Sequence, residues 1–89
     1  MAVYFITYDL NKTGQNYDDL YEKIKEFGDW YHFMKSCWFV SVNYETCESI
    51  REKLISVMDN NDYLFVDQVT SNRDGWLPQD VWDWLRQRL

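Results

Sequence analysis

The stretch Ala2–Asp9 (AVYFITYD) constrains the fold of this chain more than any other segment. One side of an extended backbone would carry Tyr4, Ile6 and Tyr8, and the other would carry Val3, Phe5 and Thr7. A strand whose two faces are both apolar or β-branched is covered on both sides and lies inside a sheet. The sequence therefore predicts a central strand that ends at Asp9.

Turn signals and apolar periodicity divide the rest of the chain into three helices and three strands. After the first strand the sequence predicts a turn-rich loop over 11–16 and a helix that is capped by Asn16 and stopped by Gly28. Two strands over 30–34 and 36–42 follow, and then a second helix that is capped by Thr46. The last predicted elements are a strand over 63–70 and a helix over 78–89 with Pro78 at its first position. The predicted buried stripes are Leu20, Ile24 and Phe27 in the first helix, Ile50, Leu54 and Val57 or Met58 in the second, and Val81, Trp82, Leu85 and Leu89 in the last.

This order, βαββαβ followed by a helix, predicts one α+β domain over residues 1–89. Right-handed crossovers and short connections favour a ferredoxin-like antiparallel sheet with strand order 4-1-3-2 and both main helices on one face. In that topology the carboxyl end of the first strand meets the beginnings of the third and fourth. Asp9 is therefore expected near Lys35 and Ser36 on one side and near Asp62 on the other.

Charge and composition limit the kinds of molecule that this chain is expected to bind. Nine basic residues stand against fifteen acidic ones, the net charge is −6, and no basic run exceeds the loose pair Arg86 and Arg88. Extensive nonspecific binding to nucleic acid is disfavoured, whereas a small contact with RNA, or one assisted by Mg²⁺, is compatible with this charge. Seventeen residues are Phe, Trp or Tyr, more than such a core needs, so a homodimer is expected.

Asp9 is the sharpest candidate for chemistry. A carboxylate at the end of a central strand is held on rigid backbone at the rim of the sheet, and it suits Mg²⁺ bound together with substrate phosphates. The alternative is that Asp9 only starts the following loop through an Asx-type turn. Residues 59–62 (DNND) could add oxygen ligands, but this composition is common in a turn after a helix and lacks the twelve-residue spacing of an EF-hand loop, so a simple turn is favoured.

Other reactive side chains favour structural roles. His32 has no catalytic partner in sequence and is expected to pack on its strand rather than act as a base. Cys37 and Cys47 lack a CxxC spacing, which excludes a structural zinc site by ligand count, and Cys37 fits a buried free thiol. Trp76, Trp82 and Trp84 exceed what the last helix can bury, and an interface is favoured over stacking on nucleobases.

Several motifs carry a family resemblance. The segments YFITYDL and HFMKSCWFV resemble the small ferredoxin-like protein of CRISPR adaptation and its relatives among the VapD-type toxin ribonucleases. The whole chain resembles a family of short bacterial proteins labelled SinR-like, through YDLN, GDW and the ending GWLP–W–W. The resemblance implies a homodimer in which the two first-strand aspartates approach each other. It also implies metal-dependent nucleases in some members and structural adaptors in others. Asp9 carries over to this pattern, with Ser36 a weaker positional match.

The leading hypothesis is accordingly a homodimeric, CRISPR-associated-protein-like domain that acts as a Mg²⁺-dependent endoribonuclease of a defence or toxin–antitoxin system, with Asp9 as metal ligand and Asp9 and Ser36 as catalytic candidates. The rival is a non-catalytic interaction or ligand-binding module that assembles through its aromatic surface. No stretch reaches the roughly 20 apolar residues of a membrane span, and reduced thiols suit the cytoplasm, so a cytoplasmic protein without a membrane partner is expected.

Overall fold

The computed structural model describes residues 1–14 and 16–89. Its elements are β1 (Ala2–Asp9), α1 (Asp18–Lys25), β2 (Asp29–Met34), β3 (Cys37–Val42), α2 (Cys47–Ile55), β4 (Tyr63–Gln68) and α3 (Gln79–Arg88). The four strands form one antiparallel sheet in the order β2-β3-β1-β4, which is the predicted order read from its opposite edge. The central position of β1 is thereby confirmed. Phe5 of β1 pairs with Phe39 of β3, and Asp9 pairs with Tyr63 of β4.

One face of the sheet, here called the helix-pair face, is covered by α1 and α2, as predicted. Its fully buried side chains come from β1, β3 and both helices, and include Ile6, Val40, Leu20, Ile24, Ile50 and Leu54. Thr46 caps α2 through a capping box in which its side chain accepts from the Ser49 backbone while the Ser49 hydroxyl accepts from the Thr46 backbone. These contacts form the larger of the two cores.

The opposite face, here called the α3 face, carries the last helix. Val81 and Leu85 pack on Val3 and Phe39, and together these four form a second buried cluster. Arg88 binds both carboxylate oxygens of Asp29 at 2.7 and 3.1 Å. The sheet therefore has helices on both sides, which explains why both faces of β1 are apolar.

Several predicted boundaries are corrected. Asn16 is not the cap of α1: Tyr17 holds that position, and Asn16 instead accepts a hydrogen bond from the Asp18 backbone at 2.9 Å. Pro78 precedes α3 and is not its first residue. Leu89 was expected to face the body but is 48 % exposed, because the helix ends before it.

Two strands are also shorter than predicted: β3 begins at Cys37 instead of Ser36, and β4 ends at Gln68 instead of Thr70. Gly28 follows α1 with a φ of 103°, a backbone conformation that favours glycine, and this agrees with its predicted role as a stop. The predicted loop over 11–16 includes Gln15, which lies outside the described residues.

Within residues 1–14 and 16–89, no helix is long and apolar enough to cross a membrane.

Candidate functional site

Asp9 lies at the carboxyl end of β1 and is exposed. Strand alternation places it on the same side as Val3, and therefore on the α3 face. In the part of the chain that the structure describes, its carboxylate makes no ion pair and accepts no hydrogen bond. An exposed carboxylate with both oxygens free on rigid backbone is able to take a cation or a hydrogen-bond donor.

The surface around Asp9 is left uncovered by α3. We call it the open half of the α3 face and define it by Thr7, Asp9, Tyr63 and Phe65. Tyr63 and Phe65 are 70 % and 60 % exposed, and they stand opposite Asp9 and Thr7 in the β1–β4 ladder. With their strand neighbours they line a shallow depression of about 250 Å³. Two large aromatic rings thus flank an unpaired carboxylate.

Ser36 and Asp62, two of the predicted neighbours of Asp9, lie beside the end of β1. Among the residues that the structure describes, Lys35 makes no ion pair with Asp9. The Tyr8 backbone N–H donates to the carbonyl of Ser36 at 3.3 Å, and Ser36 is half-buried. On the other side, Asn11 donates through its side chain to the carbonyls of Asp9 and Asn61. The starts of β3 and β4 therefore flank this end of β1, as the predicted topology requires.

The Asp62 carboxylate stabilises the loop by accepting three hydrogen bonds. Its carboxylate accepts hydrogen bonds from the backbone of Asn11 (2.7 Å), the backbone of Asp59 (2.9 Å) and the hydroxyl of Tyr17 (2.8 Å). Burial acts to raise the pKa of Asp62, but these hydrogen bonds outweigh it and hold the pKa below its ordinary value. Asp62 therefore stays ionised and tied to the protein rather than free for a ligand.

The remaining acids of the 59–62 turn are similarly engaged. Asp59 accepts from the Asn61 backbone at 2.9 Å and lies 3.4 Å from the Lys12 ammonium. No group of three or more His, Cys, Asp or Glu side chains that could hold a metal ion occurs among the described residues. Any metal site built on Asp9 accordingly needs ligands from water, from substrate or from another molecule.

Tyr8 and His32 lie on the helix-pair face. Burial raises the pKa of Tyr8 to about 12, although the Trp38 indole donates to its hydroxyl at 2.8 Å and opposes the shift. His32 stacks on Trp38 with ring centroids 3.9 Å apart, and its Nε2 lies 3.0 Å from the Lys35 carbonyl. His32 was predicted to be packed or half-exposed; it is exposed, and its ring packs against Trp38.

The two cysteines are free thiols, and both are half-buried. The Cys37 sulfur lies 3.5 Å from the Thr7 hydroxyl, across the β1–β3 ladder. Its surroundings fit the structural role predicted for it.

The three candidate tryptophans have different surroundings. Trp84 is half-buried against Tyr31 and Phe39, with the Arg88 guanidinium 4.0 Å above its ring. Trp82 is half-buried in the same cluster. Trp76 is 100 % exposed. Only this last ring leaves its whole surface for a partner.

The segment that carries Trp76 begins far from Asp9 along β1. It follows β4, and its Val69 donates a backbone hydrogen bond to Val3 at 2.9 Å, near the start of β1. Six residues of strand at about 3.3 Å each separate Val3 from Asp9, or roughly 20 Å. Trp82 lies nearer, because it lines a cavity together with Phe5, which is two residues from Thr7 on the same face of β1.

Sequence reasoning missed Tyr63 and Phe65. They were part of a predicted strand and carried no functional interpretation. The signal that could have found them is their spacing: they alternate along a strand at the edge of the sheet, on the side where the last helix is too short to reach. Their exposure depends on that helix, which the local pattern of β4 does not report.

No family model, no curated protein and no solved structure matches the chain in the comparisons. The resemblance drawn from the sequence motifs accordingly stays a prediction.

Proposed function

We propose that the protein is a homodimeric, CRISPR-associated-protein-like domain of the ferredoxin-like type that cleaves RNA with the help of Mg²⁺ in the cytoplasm. The observation that carries the proposal is the position of Asp9: it is exposed and unpaired at the end of a central strand, beside two exposed aromatic rings. The βαββαβ order and the strand order β2-β3-β1-β4 support the fold assignment.

A second copy of the chain is the occupant we assign to the open half of the α3 face. Large aromatics bury roughly 150–250 Å² each, so Tyr63 and Phe65 from two copies would contribute several hundred Å² to a contact. Specific interfaces start at about 1,200 Å² in total, and these four rings would supply a substantial part of that area. Because Asp9 adjoins both rings, a two-fold contact here brings the two Asp9 carboxylates toward each other.

The free carboxylate fits Mg²⁺, which takes oxygen ligands, commonly one or two carboxylates together with waters and substrate phosphates. One Asp9 from each copy would hold the ion. When bound, Mg²⁺ supplies charge neutralisation at the phosphate and a more acidic bound water. The chain itself positions the carboxylates on rigid strand ends, and the overall negative charge restricts RNA to a local contact.

The test is cleavage of a labelled single-stranded RNA by purified Asp9→Asn protein with Mg²⁺ and with a chelator. We expect wild-type cleavage to require Mg²⁺ and the variant to lose it while keeping the wild-type thermal transition. Asp19→Asn is the matched control, since it removes an exposed carboxylate from the first turn of α1. Equal cleavage by the wild type and Asp9→Asn would overturn the proposal.

Ser36 is the weaker catalytic candidate. Its carbonyl already accepts the Tyr8 N–H, and this bond does not involve its hydroxyl. Ser36→Ala is expected to slow cleavage less than Asp9→Asn does. A loss as complete as that of Asp9→Asn would give Ser36 an equal place in the reaction.

A non-catalytic interaction module is the second candidate, and the full exposure of Trp76 favours it. It predicts assembly through aromatic surface and no Mg²⁺-dependent cleavage of any RNA. Because the Trp82 and Trp84 rings pack inside the protomer, Trp76 is a cleaner probe of assembly than either of them.

A further inference from the structure

A cavity of about 230 Å³ lies between α3, the end of β4 and the segment 69–77 that connects them. Its apolar wall is made by Phe5, Phe39, Leu77, Trp82 and Leu85. An apolar cavity of about 150 Å³ is large enough to bind benzene in a protein core. This cavity is therefore of a size to receive one larger aromatic ring.

Trp76 is held away from its own protomer by its neighbours in the chain. Leu77 packs against the α3-face cluster, and a Cβ atom at Gly75 would already meet the Trp82 ring at 3.7 Å. With the residues on both sides close to the protein, the Trp76 side chain projects outward. The short segment 69–77 therefore carries a fully exposed indole and also forms part of an unfilled cavity with aromatic walls.

We infer that Trp76 of one copy fills this cavity on a second copy, reciprocally, around a two-fold axis beside the segment 69–77. A two-fold interface needs a surface that is complementary to itself, with the donor and the acceptor of each contact on the same patch. Trp76 and the cavity meet that requirement because the segment that carries the ring also supplies Val69 and Leu77 to the cavity.

The polar rim of the cavity suits an indole. Asp67, Gln68 and Asp74 line it and offer oxygen acceptors for the single N–H of the ring. One Asp74 oxygen accepts from the Gly75 backbone at 2.8 Å, which leaves its other oxygen for a guest. Arg73 is the cationic group of the rim, and it donates to the Thr70 carbonyl at 2.7 Å. A neutral aromatic side chain with one hydrogen-bond donor complements these oxygen acceptors better than an anionic ligand does.

The cavity and the open half of the α3 face adjoin each other, since Phe5 and Asp67 of the cavity lie two residues, about 7 Å, from Thr7 and Phe65 along the same strands. The inference goes beyond the proposed function and does not depend on catalysis.

The test measures the association of the full chain by sedimentation equilibrium for two variants, alone and mixed. Trp76→Ala removes the inserted ring and keeps the cavity, whereas Asn72→Arg places a long charged side chain at the cavity and keeps the ring. Because buried tryptophans dominate interface energetics, each variant alone is expected to weaken this association at least about tenfold. Mixed in equal amounts, they are expected to regain part of it, since the intact Trp76 of one fits the intact cavity of the other.

Tyr44→Asn is the matched control, because Tyr44 is also a fully exposed aromatic and Asn tolerates its positive φ of 64°. This control is expected to associate like the wild type. Unchanged association of Trp76→Ala, no recovery in the mixture, or a wild-type chain that is monomeric would each overturn the inference. RNA cleavage measured on the same variants separates the two proposals, since Trp76→Ala keeps Asp9 and its loss of association leaves the Asp9→Asn test intact.

Discussion

The two faces of the sheet are covered to different extents. Two helices cover the helix-pair face over β1 and β3, although Trp30 and His32 at its β2 edge are exposed, whereas α3 alone covers the other face. A helix of ten residues is about 15 Å long, and an eight-residue strand is about 26 Å long, so α3 cannot span β1 from end to end. The uncovered part holds Asp9, Tyr63 and Phe65. A single covering helix therefore leaves room for a partner on the α3 face.

The two faces also differ in how they are held together. The helix-pair face is closed mainly by aliphatic side chains. Both faces hold polar contacts. The Trp38 indole donates to the Tyr8 hydroxyl on the helix-pair face, and the α3 face has the Arg88–Asp29 pair and a hydrogen bond from Tyr31 to Asp80. The α3 face also buries the Ser41 hydroxyl, for which the described residues provide no hydrogen-bond partner. Its buried apolar cluster is the smaller of the two, which indicates that α3 is the more separable layer.

Leu54→Ala on the helix-pair face is expected to have the largest effect on stability. Leu54 is fully buried between α2 and the sheet, and truncating such a residue costs about 2–5 kcal/mol through lost transfer energy and a residual cavity. The free energy of unfolding from urea titration measures it. A loss below about 1 kcal/mol would mean that this face is not the main core.

Leu85→Ala is the matched substitution on the α3 face, since Leu85 is also a leucine and is only 2 % exposed. We expect a smaller loss, about 2 kcal/mol, because α3 packs through the smaller buried cluster and its detachment limits the cost to its own docking energy. Hydrogen exchange should show loss of protection confined to α3. A loss equal to that of Leu54→Ala, with exchange spread over the sheet, would contradict the difference between the faces.

The Arg88–Asp29 pair is expected to contribute about 1 kcal/mol. Its geometry is bidentate, but both side chains keep some contact with solvent, which weakens the attraction. A double-mutant cycle with Arg88→Met and Asp29→Asn isolates this term. A coupling energy near zero would leave α3 held by its apolar contacts alone.

The smallest expected effect is a pH dependence at the edge of the open half. The pKa of Asp62 is lower in the folded protein than in the unfolded chain. Its contribution to the free energy of unfolding is therefore complete above the unfolded pKa near 4, and it is lost as the pH falls through the lower folded value. Glu45 titrates in the same direction, because its hydrogen bond with Lys53 lowers its pKa. Thermal transitions of the wild type and Asp62→Asn between pH 5 and 2 should therefore converge at the acid end. A constant difference would contradict the role given to Asp62.

Much of the fold was predictable because it depends on local patterns. Apolar or β-branched residues on both faces of Ala2–Asp9 identified the central strand, and short connections with standard handedness led to the strand order. The side of the sheet on which α3 packs was not predictable in the same way. Its stripe of Val81 and Leu85 shows that the helix is amphipathic but not which surface receives it, and both faces of β1 are apolar.

The candidate site was predictable only in part. The position of Asp9 follows from the topology, whereas the aromatic rings beside it depend on the reach of a distant helix. The 59–62 turn illustrates the opposite case. Its acids could serve as ligands by composition, but the sequence favours a turn, and the backbone N–H groups around them already use Asp59 and Asp62. Acid composition alone does not distinguish such a turn from a metal loop.

The most direct test of the account is whether the Asp9 positions of two copies approach each other. In a background with Cys37→Ser and Cys47→Ser, Asp9→Cys protein is treated with a short bifunctional thiol reagent, and Glu52→Cys on the outer side of α2 is the control. We predict a covalent dimer from Asp9→Cys at protein concentrations where Glu52→Cys stays uncrosslinked. A chain that sediments as a dimer without crosslinking through Asp9→Cys would contradict a shared two-carboxylate site.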